Sequence, residues 1–200
     1  PYGKPKYANL IKKNLIDIKS DGTFRLNMSY FNYHRGFRMT SKKFDKLFRN
    51  KPRQKETQLT QFHMDLASSI QVVTEEIVIK LAKTLKNETG MKNLCLAGGV
   101  ALNCVANGKI LKENIFEKIW IQPASGDAGS SLGAALLCFY ESSNKIRKVN
   151  AYDSMKGTFL GCEFNNHEII SFLEDINAPF EELKDKELFE KLAELLDQGK

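Results

Sequence analysis

The chain has 200 residues, of which 42% are apolar and 27% are charged, and its formal net charge is +6. This composition is typical of a folded domain and excludes a chain that is disordered throughout. No apolar run reaches the roughly 18–20 residues that a membrane-spanning helix needs, so we expect no membrane association.

The first 60 residues predict several short elements. Residues 6–18 have apolar side chains at helical spacing, which predicts a short helix. After a turn signal at Asp21-Gly22, the polar–apolar alternation of residues 23–28 predicts a strand. The aromatic residues between positions 30 and 37 favour packing in a core over base stacking. A helical turn is predicted near Phe48.

The clearest helix prediction lies between residues 57 and 90. Its apolar residues repeat at steps of three and four, which keeps one stripe in register with 3.6 residues per turn. That stripe comprises Leu59, Phe62, Leu66, Ile70, Val73, Ile77, Leu81 and Leu85. Thr57 or Thr60 can cap the start of the helix, and Gly90 can end it.

Residues 93–141 alternate between strand and helix patterns. Strands are predicted at 93–97 and 118–122, with helices from residue 100 and from residue 131. A loop of small residues is predicted at 123–129. This alternation predicts an α/β layer whose neighbouring strands are parallel.

The last 60 residues suggest a linker and the start of a second domain. Residues 142–156 have the polar composition of a linker, and residues 157–161 resemble a strand that enters a turn. Two amphipathic helices follow, one capped by Asn165 or Asn166 and the other at 185–198. About 40 residues are too few for an independent core, so we expect a central fragment of a longer protein.

Charge is unevenly distributed along the chain, and this distribution limits the partners that it can bind. Residues 1–60 carry 15 basic and 4 acidic side chains, whereas residues 161–200 carry 4 basic and 11 acidic ones. We favour a solvated basic surface over a nucleic-acid interface.

The four cysteines contain no CxxC pair, which predicts buried free thiols in a reducing cytoplasm rather than disulfides or a zinc site. These cysteines are Cys95, Cys104, Cys138 and Cys162.

Two strand-to-helix corners form the candidate site. At Gly98-Gly99, the missing side chains let backbone N–H groups approach an anion at a helix start, and Asn103 follows within the predicted first turn. At the second corner, Asp127 lies among small residues after a strand, where it can hold a cation beside phosphates or simply cap the helix. Together the corners predict a pocket for a nucleotide and a metal.

Three segments carry a resemblance to a known family. They are DLASSIQ (Asp65–Gln71), LCLAGGVALNCVANGKI (Leu94–Ile110) and IQPASGDAGSSLGAAL (Ile121–Leu136). These segments closely resemble the O-carbamoyltransferases of nodulation-factor and antibiotic biosynthesis. The likeness extends through PYGKPKY and GTFLG to essentially the whole chain. A more distant resemblance links the same motifs to the tRNA threonylcarbamoyl transferases.

The resemblance implies a fold and a reaction. Residues 1–150 would be the C-terminal part of an ATPase-like domain of the actin–hexokinase type, which is ribonuclease H-like. Residues 151–200 would begin a YrdC-like α/β domain. The family forms carbamoyl-adenylate from ATP and carbamoyl phosphate, and then transfers the carbamoyl group to a hydroxyl of a small-molecule acceptor.

The resemblance also implies the site residues. Gly98, Gly99, Val100 and Asn103 match the nucleotide-contacting motif GGVALN, and Asp127 matches the aspartate ligand of an iron-type metal. The family's remaining metal ligands and its YrdC-like site match no residue here, so we expect no catalytic residue and an inactive isolated fragment. Two alternatives stay open: a tRNA threonylcarbamoyl transferase and a non-catalytic nucleotide-binding module. The sequence does not indicate the oligomeric state.

Overall fold

The computed structural model describes residues 2–143, 145–148, 152 and 155–199. The chain divides into two units, Pro1–Arg147 and Lys148–Lys200. The first unit contains five helices and four strands in its described part. In chain order they are α1 (Ala8–Asn14), β1 (Ile16–Ile18), β2 (Phe24–Leu26), α2 (Lys42–Phe48), α3 (Gln61–Thr89), β3 (Asn93–Leu96), α4 (Cys104–Lys112), β4 (Lys118–Ile121) and α5 (Asp127–Ser143).

The predicted helix over residues 6–18 is too long. Helix α1 ends at Asn14, and Ile16–Ile18 instead forms strand β1, which pairs antiparallel with β2. The alternation of two β-branched residues around Asp17 favours this strand, and the turn at Gly22 brings its partner back. Gly22 has φ of +90°, a conformation that suits glycine.

The N-terminal elements pack against the first half of α3. Their shared core contains Ile11, Leu15, Ile16, Tyr30, Phe48, Val73 and Ile77. The ring of Tyr7 meets the rings of Phe48 and Phe62 edge to face, with centroids 5.6 and 5.5 Å away. Core packing of Tyr30 is as expected, whereas Phe37 is fully exposed. This core fixes the position of α3.

A buried carboxylate ties the N-terminal segment to α3. Asp65 is 2% exposed and accepts hydrogen bonds from the Lys4 backbone N–H and the Gln61 side chain, both at 2.8 Å. The Lys6 ammonium lies 2.7 Å from its other oxygen. The Lys4 N–H, followed by Lys6 and Gln61, lowers the pKa of Asp65 to about 2. Asp65 is therefore ionised at neutral pH, and it holds the N-terminal segment against α3.

A second core joins the far half of α3 to a small parallel sheet. Ala82, Leu94, Ile110 and Phe116 are buried together. Strands β3 and β4 pair in parallel, with Leu96 opposite Ile121, which confirms the predicted parallel neighbours. The described part of the chain is thus of the mixed α/β class.

Several faces that the sequence assigned to the interior are exposed. On α3, Ile70, Leu81 and Leu85 are 49%, 39% and 43% exposed, and Leu59 precedes the helix. No residue of α5 is buried, although it is the most apolar of the predicted helices. A helical period shows which residues share a face, but packing partners decide whether that face is covered.

The predicted burial of the cysteines is wrong for the same reason. All four thiols are free, as expected, but Cys95, Cys104, Cys138 and Cys162 are exposed. Cys138, for example, lies on α5, which has no buried residue. An apolar neighbourhood in the sequence does not bury a thiol unless another element packs over it.

The second unit contains helices α6 (Asn166–Asp175) and α7 (Asp185–Asp197). The predicted cap is confirmed, because Asn165 Oδ1 accepts the Glu168 N–H at 3.0 Å. Neither helix has a buried residue, and of the predicted inner faces only Ile170, Leu173 and Leu195 are half-buried. The predicted strand near residue 157 is wrong, since Gly157 and Thr158 have φ of 62° and 75°. Residues 144, 149–151 and 153–154 of the predicted linker lie outside the described residues.

Among the helices that the structure describes, none combines the length and apolar character that a membrane span requires.

Candidate functional site

Both predicted corners leave the same edge of the parallel sheet. Strands β3 and β4 end side by side at Leu96 and Ile121, and the Gln122 N–H donates to the Leu96 carbonyl at 3.0 Å. Because the strands run in parallel, the chain turns towards Gly98 and towards Asp127 from one edge. Ligands of parallel sheets bind outside this carboxyl edge.

The glycine corner adopts a conformation that depends on glycine. Gly98 has φ of 95° and ψ of 156°, a region that residues with a side chain rarely enter. A short 3-10 helix, Gly99–Leu102, follows it at once. A Cβ added at Gly98 or Gly99 would meet no atom within 4 Å, so the space in front of the corner is open. Val100, the second residue of this 3-10 helix, is 62% exposed.

Asn103 stands between the 3-10 helix and α4 and not within a helical turn as predicted. Its Oδ1 caps α4 by accepting the Ala106 N–H at 3.1 Å. The same amide pairs with Gln71 of α3 through two hydrogen bonds of 3.1 and 2.9 Å. An open hollow of about 560 Å³ lies between α3 and the corner, lined in part by Gln71, Gly99, Val100 and Asn103.

A buried carboxylate lies behind this amide pair. Glu75 is 5% exposed. It accepts a hydrogen bond from Gln71 at 2.9 Å and forms an ion pair with Lys109 of α4. Burial raises the pKa of Glu75, but the hydrogen bonds from Lys109 and Gln71 outweigh it, so the pKa lies below its usual value. Glu75 is therefore ionised at neutral pH.

The second corner places Asp127 at the start of α5. The helix begins here and not at Ser131 as predicted, so the loop of small residues is shorter than expected. Asp127 is exposed, and no described residue gives its carboxylate a hydrogen bond or ion pair. A Cβ at Gly129 would lie 1.9 Å from the Ala124 carbonyl oxygen, so the first turn of α5 needs glycine to close against the loop.

The structure groups some predicted residues and not others. Gly99, Val100 and Asn103 line one hollow, whereas Asp127 is not among the residues that line it. The described residues contain no cluster of three or more histidine, cysteine or acidic side chains that could hold a metal. Asp127 can supply one oxygen ligand, but a metal site needs several more donors.

Sequence reasoning missed the residues that support the corner. Gln71, Glu75 and Lys109 each lie 32 to 34 positions from their partner across the α3–α4 contact. One signal did exist, because Gln71 ends the segment DLASSIQ, which carries part of the family resemblance. The contact between Gln71 and Asn103 is evident only once α3 and α4 are packed together.

Comparisons with known proteins give a consistent result. Residues 1–136 match the family model described as carbamoyltransferase N-terminus. An uncharacterized protein of Synechocystis sp., sll1178, is 52% identical over 201 residues, which is all of this chain and 33% of that protein. The nodulation protein NolO of Bradyrhizobium diazoefficiens is 34% identical over 82% of this chain and 28% of its own length.

A third relative is also a nodulation protein and matches a similar share of this chain. The nodulation protein NolNO of Sinorhizobium fredii is 33% identical over 82% of this chain and 22% of its own length. The chain therefore spans between about a fifth and a third of the length of these three relatives.

Proposed function

Since this chain belongs to the carbamoyltransferase N-terminus family, we propose that it supplies the nucleotide-binding corner of an O-carbamoyltransferase. The observation that carries the proposal is the pair of corners at one edge of the β3–β4 sheet, with open space before Gly98 and Gly99. A glycine corner in front of a helix suits the phosphates of a nucleotide, because backbone N–H groups can approach them closely.

The proposed reaction has three bond exchanges. Water cleaves carbamoyl phosphate to carbamate and inorganic phosphate, and a carbamate oxygen then attacks the α-phosphorus of ATP, so that pyrophosphate leaves. In the last exchange a hydroxyl oxygen of the acceptor attacks the carbamoyl carbon, loses its proton and displaces AMP. We assign the first two exchanges to a YrdC-like domain and the last to an ATPase-like domain of the actin–hexokinase type, to which residues 1–150 would belong.

This chain's own residues would bind and orient the nucleotide. The backbone N–H groups at Gly98 and Gly99 would donate to phosphate oxygens, and the Asn103 amide would donate to a further oxygen of the same nucleotide. Carbamoyl transfer chiefly needs orientation of the two reactants and stabilisation of developing negative charge. Fixed N–H donors meet both needs without a nucleophile from the protein.

The residues described here fit a metal only in part. Asp127 would contribute one carboxylate oxygen to an iron-type ion, which would supply positive charge near the reacting group. The remaining ligands match no residue of this chain, so its own residues would not hold the metal by themselves. We also propose that the 200 residues alone are inactive, since they span at most a third of their relatives.

The test is an activity assay on the full-length protein. Incubation with ATP, carbamoyl phosphate and a hydroxyl-bearing acceptor should release pyrophosphate and AMP and give a carbamoylated product, all absent without carbamoyl phosphate. A protein that binds ATP but forms no carbamoyl-adenylate would support the non-catalytic module instead. Salt-dependent tRNA binding with threonylcarbamoyl transfer would replace the small-molecule acceptor by RNA. Turnover by the isolated 200 residues would refute their proposed inactivity.

A further inference from the structure

Four polar side chains form a continuous relay from the α3–α4 contact to the glycine corner. Lys109 pairs with Glu75, and Glu75 Oε1 accepts a hydrogen bond from Gln71 Nε2 at 2.9 Å. Gln71 Nε2 also donates to Asn103 Oδ1 at 3.1 Å, while Asn103 Nδ2 donates to Gln71 Oε1 at 2.9 Å. The relay ends at Asn103, which lines the open hollow beside Gly99, as Gln71 also does.

The ionised carboxylate fixes the direction of every hydrogen bond in the relay. A carboxylate only accepts, so Gln71 must turn its amide nitrogen towards Glu75. Both N–H groups of that nitrogen are then used, one by Glu75 and one by Asn103 Oδ1. Gln71 therefore presents its oxygen to Asn103 Nδ2, and this contact, together with the Ala106 N–H on Oδ1, sets the Asn103 amide in one of its two possible orientations.

This orientation leaves one donor for a ligand. Asn103 Oδ1 is occupied by Gln71 and by the Ala106 N–H, and one N–H of Nδ2 is occupied by Gln71. The second Nδ2 N–H has no acceptor among the described residues, and Asn103 is only half-buried. A flipped amide would offer its oxygen instead, which repels phosphate oxygens.

We propose that Gln71 and Glu75 are positioning residues that hold the Asn103 amide with a free N–H towards a nucleotide oxygen beside the glycine corner. The inference rests on the proposed function, because it takes the nucleotide site as its premise. Glu75 lies behind the amide pair and does not touch the nucleotide in this proposal, and Gln71, which also lines the hollow, acts through its hydrogen bonds to Asn103. Gln71 and Glu75 act on the nucleotide through Asn103. The alternative is that they only hold α3 against α4 and have no effect on the orientation of the Asn103 amide.

Titration of the full-length protein with ATP tests the relay. Gln71→Glu keeps the shape of the side chain but removes both donors, so the carboxylate at position 71 repels Glu75 and Asn103 Oδ1. Loss of one oriented hydrogen bond to a charged phosphate should weaken ATP binding about tenfold. Gln71→Met, which is uncharged and of similar length, should give a similar loss and serves if Gln71→Glu does not fold.

A swapped double variant separates positioning from clamping. In Gln71→Glu with Glu75→Gln, the amide at position 75 donates to the carboxylate at position 71, and the net charge is that of the wild type. Thermal stability should recover towards the wild-type value. ATP affinity should stay about tenfold weaker, because a carboxylate at position 71 cannot donate to Asn103 Oδ1 and also adds a negative charge to the lining of the hollow, a charge that Gln71→Met lacks. Recovery of affinity together with stability would show that the relay only clamps the helices.

A control on the same helix is Gln61→Ala. Gln61 donates to Asp65 near the other end of α3, so its loss should lower stability without changing ATP affinity. Wild-type affinity in Gln71→Met would overturn the positioning role while the nucleotide site stands, even if the charged Gln71→Glu binds ATP more weakly. Absence of ATP binding by the wild-type protein would overturn the proposed function, and this inference with it.

Discussion

Replacing Gly98 by alanine tests whether the glycine corner binds a nucleotide. At φ of 95° and ψ of 156°, a Cβ strains the backbone by about 1–3 kcal/mol, although no atom lies within 4 Å to collide with it. The variant either keeps this strain or relaxes the corner into an allowed conformation. Relaxation turns the N–H groups at Gly98 and Gly99 away from their bound-state directions.

The expected result is a selective loss of ATP affinity. If relaxation forfeits one or two hydrogen bonds to charged phosphate oxygens, each worth about 1.5–3 kcal/mol, binding weakens by at least tenfold. Calorimetric titration of the full-length protein with ATP measures this loss. Urea denaturation of the same sample measures the accompanying change in the free energy of unfolding.

Gly90→Ala is the matched control. Gly90 also has a positive φ, 63°, with no atom within 4 Å of an added Cβ, but it ends α3 away from the corner. Its replacement should destabilise the fold by about 1–2 kcal/mol and leave ATP affinity unchanged. Wild-type affinity in a Gly98→Ala variant that lacks the stability loss expected of a retained strain, or an equal affinity loss in Gly90→Ala, would refute the corner as the nucleotide site.

Three further predictions test the fold that positions the corner. Ile110→Ala should lower the free energy of unfolding by about 2–5 kcal/mol because Ile110 is fully buried, whereas the adjacent exposed Leu111→Ala should change it by less than about 0.5 kcal/mol; urea denaturation compares them. Asp65 has a lower pKa in the folded than in the unfolded state, so its stabilisation is present above pH 3.8 and is lost as the pH falls towards about 2. Asp65→Asn should therefore be less stable at pH 7 and show a shallower acid decline in circular dichroism; an unchanged decline would contradict this. Gly129→Ala should lower the melting temperature, since its Cβ would collide with the Ala124 carbonyl, while Gly133→Ala on the same helix has open space and should not; equal melting temperatures for the two variants would argue against the tight turn.

Many local features could be predicted because neighbouring residues determine them. Thr60 and Gly90 bound α3, and Asn165 caps α6, since capping depends on hydrogen bonds within one turn of helix. The parallel pairing of β3 with β4 followed from the alternation of strands and helices. The positions of both corners were evident from small residues directly after strands.

Other local predictions failed where two patterns overlapped. Residues 16–18 fit a helical stripe and a strand equally well, and pairing with β2 decided the outcome. Asp127 was assigned to a loop because its neighbours are small, yet α5 begins there, since the loop closes tightly against Gly129. In each case a contact that the local pattern does not show set the boundary: pairing with β2 in the first case, and the close approach of Gly129 to Ala124 in the second.

Sequence alone determined the glycine corner, the helix caps and the family resemblance, because each resides in a few consecutive residues. Only the tertiary structure decided that Asn103 is held by Gln71 and Glu75, whose relay joins side chains more than 30 positions apart. It also decided that the four thiols are exposed and that Asp65 is buried. Burial and long-range hydrogen bonds arise from the packing of whole elements, which no single stretch of sequence encodes.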